Sequence, residues 1–146
     1  MKLIRGLHNL KPFHLGCVAT IGNFDGVHAG HQGIIRQLQK KAVSLDLPAV
    51  VMLFEPQPRE FFDANGAPPR LMRFIEKLEA LRLHGVDCVV CLQFNQRFRG
   101  LTAHEFIDSV LVSGLHVKHL VVGDDFRFGC DRSGDFSLLQ ASGQRY

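Results

Sequence analysis

The sequence has no apolar run near the ~20 residues that a membrane-crossing helix needs, and no membrane partner is expected. It has no internal repeat and no long Gly-, Ser- or Pro-rich linker, so nothing marks a domain boundary within its 146 residues. One domain is the expectation for that length. An excess of one charge is also missing. Lys and Arg number 17 against 14 Asp and Glu, and the resulting +3 is too small to argue for nucleic acid while fitting a local anion site. Met1 to His8 is basic but lacks the apolar stretch of a secretory leader. Cysteine is sparse: Cys17, Cys88, Cys91 and Cys130 are too few for a disulfide scaffold, so a reducing, cytoplasmic setting is expected. Cys88 and Cys91 have C-x-x-C spacing, yet they sit in the strand-like stretch Val86 to Phe94. Residues three apart in a strand face opposite ways, so the pair reads as two core residues.

What is present is ordinary globular material, 46% hydrophobic and 21% charged, which excludes a disordered chain. Apolar runs alternate with helical patterns. Cys17 to Gly22, Ala49 to Phe54, Val86 to Phe94 and Lys118 to Gly123 read as four strands. Gly30 to Asp46 carries Ile34, Ile35, Leu38, Ala42 and Leu45 at helical spacing, and Arg73 to His84 repeats the pattern before Gly85. Arg59 to Phe62 fits a helical turn, and Asp135 to Ala141 a helix start. Thr102 with Glu105 forms a capping box that opens a helix to Gly114. Unbroken β-branched strands separated by helices predict an α/β domain with a parallel sheet flanked by helices. Ligands then belong beyond the carboxyl ends of the strands, in the loops after Gly22, Phe54, Phe94 and Gly123.

The first of these loops is Gly22-Asn23-Phe24-Asp25-Gly26-Val27-His28-Ala29-Gly30-His31. His28 and His31 are three apart at a helix start, where free amides and the helix dipole favour phosphate. Two imidazoles there can donate to phosphate oxygens and stabilise charge growing on phosphorus. The same pair also suits two metal ligands or two surface histidines, and the spacing alone does not choose. The loop lacks the P-loop and G-x-G-x-x-G patterns.

As a whole, the decapeptide resembles the G-x-F-D-G-x-H-x-G-H signature of nucleotidyltransferases with an H-x-G-H motif, and in particular the FMN adenylyltransferase module of bacterial FAD synthetases. Gly22, Phe24, Asp25, Gly26, His28, Gly30 and His31 meet its specified positions. The resemblance implies a Rossmann-like nucleotidyltransferase fold, with His28 and His31 catalytic on the ATP phosphates. It assigns Gly22, Asn23, Phe24, Asp25 and Gly30 to the nucleotide site. ATP and FMN are the implied substrates, with Mg²⁺ accompanying ATP.

Phe54-Glu55-Pro56-Gln57-Pro58 is similar to the family's second signature, Phe-x-Pro-His-Pro, with Gln57 where the family has His. By this resemblance Phe54, Pro56 and Pro58 join the site. Glutamine can donate a hydrogen bond but cannot become cationic. Gly123 to Gly134 resembles the third signature, G-x-D-F-x-F-G-x-x-R-x-G, and adds Asp125, Phe126, Arg127, Phe128 and Arg132. Aromatic rings that stack and arginines that bind phosphate are what FMN needs, although Phe126 and Phe128 suit a core role equally. A Ca²⁺ loop is excluded by spacing. Arg97 and Arg99 read as solvated rather than phosphate-binding.

The family's last signature, I-S-S-T-x-x-R, is absent from these residues. The resemblance therefore implies a truncated FMN adenylyltransferase domain over 1–146, without the riboflavin kinase domain expected in the complete protein. Two other readings remain open: a nucleotidyltransferase for another phosphorylated acceptor, and a non-catalytic flavin- or nucleotide-binding fragment.

Overall fold

The computed structural model describes residues 1–145 apart from 11, 12, 14, 64, 124 and 125. Five strands form one sheet: β1 (Lys2–Arg5), β2 (Cys17–Ile21), β3 (Ala49–Glu55), β4 (Cys88–Gln93) and β5 (Val117–Val121). The order across the sheet is β1-β4-β3-β2-β5, and every pairing is parallel. Four strands lie close to their expected positions. β1 was not expected, because its four residues are only half-buried at a sheet edge and too short to show a pattern.

Helices cover both faces, as continuous apolar strands require. On one face lie α1 (Ala29–Leu45) and α3 (Phe74–Leu83). Ile35, Leu38, Ala42 and Leu81 pack there against Val18, Val51, Leu53 and Val89. On the other lie α4 (Gln96–Arg99) and α5 (Ala103–Phe106), the latter continued by a π-helical stretch, Ile107–Val112. Phe98, Phe106, Val110 and Leu111 pack against Ala19, Ile21, Met52 and Val90. The helix expected from Thr102 to Gly114 is therefore real, and its capping box is made, but its second half widens to π geometry. The short α2 (Pro58–Phe62) follows β3, and α6 (Phe136–Arg145) follows the last loop.

Cys17, Cys88 and Cys91 are buried free thiols. Burial pushes Cys17 up to about 12 and Cys88 up to about 11, so they are inert core residues.

The topology positions the site. From β2 the chain steps through α1 on one face to β3. From β4 it crosses the other face and returns to pair β5 on the far side of β2. The loops after β2 and β5 thus diverge around a switch point, which opens a crevice at the carboxyl ends.

Leu38 is fully buried, whereas Val43 on the same helix is 81% exposed. Leu38→Ala should cost about 2–5 kcal/mol in urea unfolding. Val43→Ala should stay within about 0.5 kcal/mol.

Candidate active site

His28 is the N-cap of α1. Its Nδ1 accepts the amide of Gly30 at 3.1 Å, and the Nδ1 of His31 accepts the amide of His28 at 3.3 Å. A capping box built from two histidines is the result. A ring nitrogen that accepts an amide proton carries none itself, so each neutral ring holds its proton on Nε2. The rings stack with centroids 3.6 Å apart. Gly30 suits this arrangement, since a Cβ there would lie 3.1 Å from His28 Cε1 and the ring would have to give way slightly. His31 titrates below the ordinary histidine range, first because of burial and then because of His28 beside it. The cradle is thus two stacked Nε2–H donors beside the first-turn amide of Ala29, which has no intrahelical partner, while the His31 amide is turned to the His28 ring.

The loop before the cradle is held under strain. Phe24 and Val27 both have positive φ, 52° and 42°, and Val27 is β-branched. Both are buried, and the ring of Phe24 packs 5.0 Å from that of His31. Asp25 receives the amides of Leu71 and Met72 at 2.8 and 3.2 Å. It is therefore a clamp between two segments, and its two oxygens point at protein backbone.

A second clamp stands beside it. Arg70 binds Glu55 through two hydrogen bonds of 2.8 and 2.7 Å, and Glu60 through two of 2.8 and 2.5 Å. The bond from Arg70 holds the Glu60 carboxyl at about 2, with the Gln57 amide helping at 2.8 Å. Gln57 caps the entry to α2, and its buried side-chain amide nitrogen has no partner among the described residues. Neither Arg70 nor Glu60 was legible as part of the site, because nothing in local spacing links residues that meet across a loop.

Gly22 and Asn23, at the start of the loop that leads to His28, line a cavity of about 680 Å³. Phe54, Pro58, Phe126, Arg127, Phe128 and Arg132 reach it, as expected, and it also takes in Arg59, Phe62, Phe94 and Arg99. The aromatic wall is continuous: Phe94 lies 5.8 Å from Phe54, 5.8 Å from Phe62 and 5.6 Å from Phe98. Arg99 was expected to be solvated, but its guanidinium lies over the Phe62 ring at 5.2 Å in the cavity wall. Phe128 is 7% exposed and packs 5.4 Å from Phe106, so it belongs to the core and offers the cavity one edge. Phe126 stacks on it at 5.7 Å and is the freer ring. Gly129 anchors this loop. Its φ is 78°, and a Cβ would sit 2.7 Å from the Ala103 backbone.

Not every expected residue converges. His28, His31, Phe24, Asp25, Gly30 and Pro56 do not line the cavity. Four of them form the cradle or its support, Asp25 is the clamp, and Pro56 faces solvent. Asp125 lies outside the described residues. Among the described residues no cluster of three or more His, Cys, Asp or Glu side chains is arranged to hold a metal. No described helix is long and apolar enough to cross a membrane.

A family profile described as FAD synthetase matches residues 10–146. A bifunctional riboflavin kinase/FMN adenylyltransferase of Pseudomonas fluorescens is 59% identical over 98% of this chain and 46% of its own length. The protein of the same description from Escherichia coli K12 is 56% identical over 100% of this chain and 47% of its own. The chain spans about half the length of the curated relatives it matches. A crystal structure described as a macrolide-efflux protein from Streptococcus pneumoniae superposes with a TM-score of 0.81 at 28% identity, over 97% of this chain and 47% of that one.

The Glu60 carboxyl is depressed in the folded state, so it stabilises above its unfolded value near 4.5 and loses that stability as pH falls toward about 2. Unfolding measured across that window should show a slope that Glu60→Gln removes. The contribution at neutral pH should be about 1–2 kcal/mol after solvent screening.

Proposed function

This chain belongs to the FAD synthetase family, and on that premise we propose that it carries an FMN adenylyltransferase site, transferring AMP from ATP to FMN to give FAD and pyrophosphate. The observation that carries this reading is a two-histidine helix cap and an aromatic, arginine-rimmed cavity that share one loop, whose first residues, Gly22 and Asn23, line the cavity. One half suits phosphates and the other a flat ring system with a phosphate of its own.

In this reading an oxygen of the FMN phosphate attacks the α-phosphorus of ATP. The bond from that phosphorus to the bridging oxygen breaks, and pyrophosphate leaves with the electron pair. No covalent nucleophile of the protein is required, so its work is alignment and charge stabilisation. His28 and His31 donate from Nε2 to the phosphate oxygens as charge grows. Phe126 and Phe62 face the isoalloxazine, and Arg59, Arg99, Arg127 and Arg132 surround its phosphate. Gly22 and Asn23 bridge the two subsites.

Mg²⁺ is expected with ATP, but the carboxylates near the cradle are engaged: Asp25 by amides, Glu55 and Glu60 by Arg70. Those three carboxylates are therefore not free to hold it, and the phosphate oxygens themselves would carry such an ion. The complete protein would join this FMN adenylyltransferase domain to a riboflavin kinase domain, which supplies the FMN.

Two outcomes test the reading in the complete protein. His28→Ala or His31→Ala should slow AMP transfer about 10²-fold or more, the usual cost of one positioned donor. Equal rates for wild type and His28→Ala would remove the assignment. Flavin fluorescence should be quenched on FMN binding, and Phe126→Ala should weaken both quenching and affinity. Consumption of another phosphorylated acceptor with FMN ignored would favour a different transferase of the superfamily.

A further inference from the structure

Three consecutive residues, Arg70, Leu71 and Met72, hold parts of both subsites. The Arg70 side chain holds the acceptor side. Its Nη1 and Nη2 donate to the Glu55 carboxylate at 2.8 and 2.7 Å, and its Nε and Nη2 donate to that of Glu60 at 2.8 and 2.5 Å. Glu55 ends β3 directly after Phe54, and Glu60 lies in α2 between Arg59 and Phe62. Phe54, Arg59 and Phe62 all line the cavity. The next two backbone amides hold the donor side. Leu71 and Met72 donate to the two oxygens of Asp25 at 2.8 and 3.2 Å. Asp25 follows Phe24, whose ring lies 5.0 Å from that of His31. It precedes Gly26, where a Cβ would lie 3.0 Å from Leu71 Cδ1.

The guanidinium is used up by this link. Only one of its N–H groups, on Nη1, is left without a carboxylate. The side chains of Arg70, Glu55 and Glu60 are each about a quarter exposed, so water competes weakly for these bonds. Arg70 is therefore built to join protein segments rather than to contact a substrate. Its planar fork fixes orientation as well as distance, which a lysine ammonium would not do.

We propose that Arg70 is a positioning residue for the transfer step: through the strap Arg70-Leu71-Met72 it sets the acceptor wall, at the end of β3 and in α2, against the loop that carries the two histidines. The chemistry it serves rests on the adenylyl-transfer reading. In that reaction an acceptor oxygen must meet the α-phosphorus in line, and Arg70 itself holds neither substrate. A shifted wall leaves each substrate bound but the pair misaligned, and a misplacement of about 1 Å can cost about 10²-fold in rate.

In the complete protein, Arg70→Gln should lower kcat for FAD formation about tenfold or more. The Kd for ATP by calorimetry and for FMN by fluorescence quenching should each stay within about threefold of the unsubstituted protein. Arg70→Lys should return much of the melting temperature and little of kcat, because it restores the charge without the fork. Unchanged kcat in Arg70→Gln overturns the proposal. A kcat that simply follows melting temperature, or a loss confined to substrate affinity, overturns it as well. Should Arg70→Gln fail to fold, Arg70→Lys carries the comparison with the same outcomes. A second readout needs no substrate. In ligand-free Arg70→Lys, amide hydrogen exchange at Leu71 and Met72 should speed up and the ring signals of His31 should move. Unaltered exchange and unmoved ring signals would overturn the link between the two sides. Absence of FAD formation by the unsubstituted protein would count against adenylyl transfer, and the substrate-free readout then decides by itself whether Arg70 fixes the histidine loop.

Discussion

The carboxyl end of this sheet depends on carboxylates whose oxygens are already occupied. Asp25 is held by the amides of Leu71 and Met72, and Glu55 is held by Arg70, which also holds Glu60. Parallel strands deliver their loops to one edge but do not stiffen them. Here the loop after β2, the exit of β3 and the segment entering α3 are tied together by charge-assisted hydrogen bonds. That tie lets Phe24 and Val27 keep positive φ, and it fixes the turn from which His28 and His31 cap α1.

The two subsites then follow from one topological feature. β5 pairs with β2 on the side away from β3, so the chain leaves the adjacent carboxyl ends in different directions. One side of the opening is a helix N-terminus that carries two ring donors. The other is a cavity whose wall runs through Phe54, Phe94 and Phe62 and whose rim holds four arginines. Gly22 and Asn23 line the cavity, and the loop they begin leads to the helix cap.

Much of this was legible from residues close in sequence. Strand composition announced the parallel sheet, and the spacing of Ile34, Ile35, Leu38 and Ala42 announced α1 and its buried face. The signature from Gly22 to His31 located the cradle. Three kinds of feature were not legible. β1 is a short edge strand whose pairing to β4 comes from tertiary contact. The ion-pair cluster joins Glu55, Glu60 and Arg70 across 15 positions of chain, and no local periodicity reports such a meeting. Lys77 reads as one polar position on a helix, and only the packing of the fold buries it. The roles of Phe126 and Phe128 were balanced in sequence, and packing against Phe106 separates them.

The central claim is that the backbone of α1 fixes both histidines as Nε2–H donors for phosphate. Long-range proton–nitrogen NMR of the ring nitrogens, recorded with and without ATP, tests it most directly. The account predicts an unprotonated Nδ1 and a protonated Nε2 in both His28 and His31 of the free protein, with both Nε2 signals moving on addition of ATP. Protons on Nδ1, or ring signals that ATP leaves in place, would contradict it.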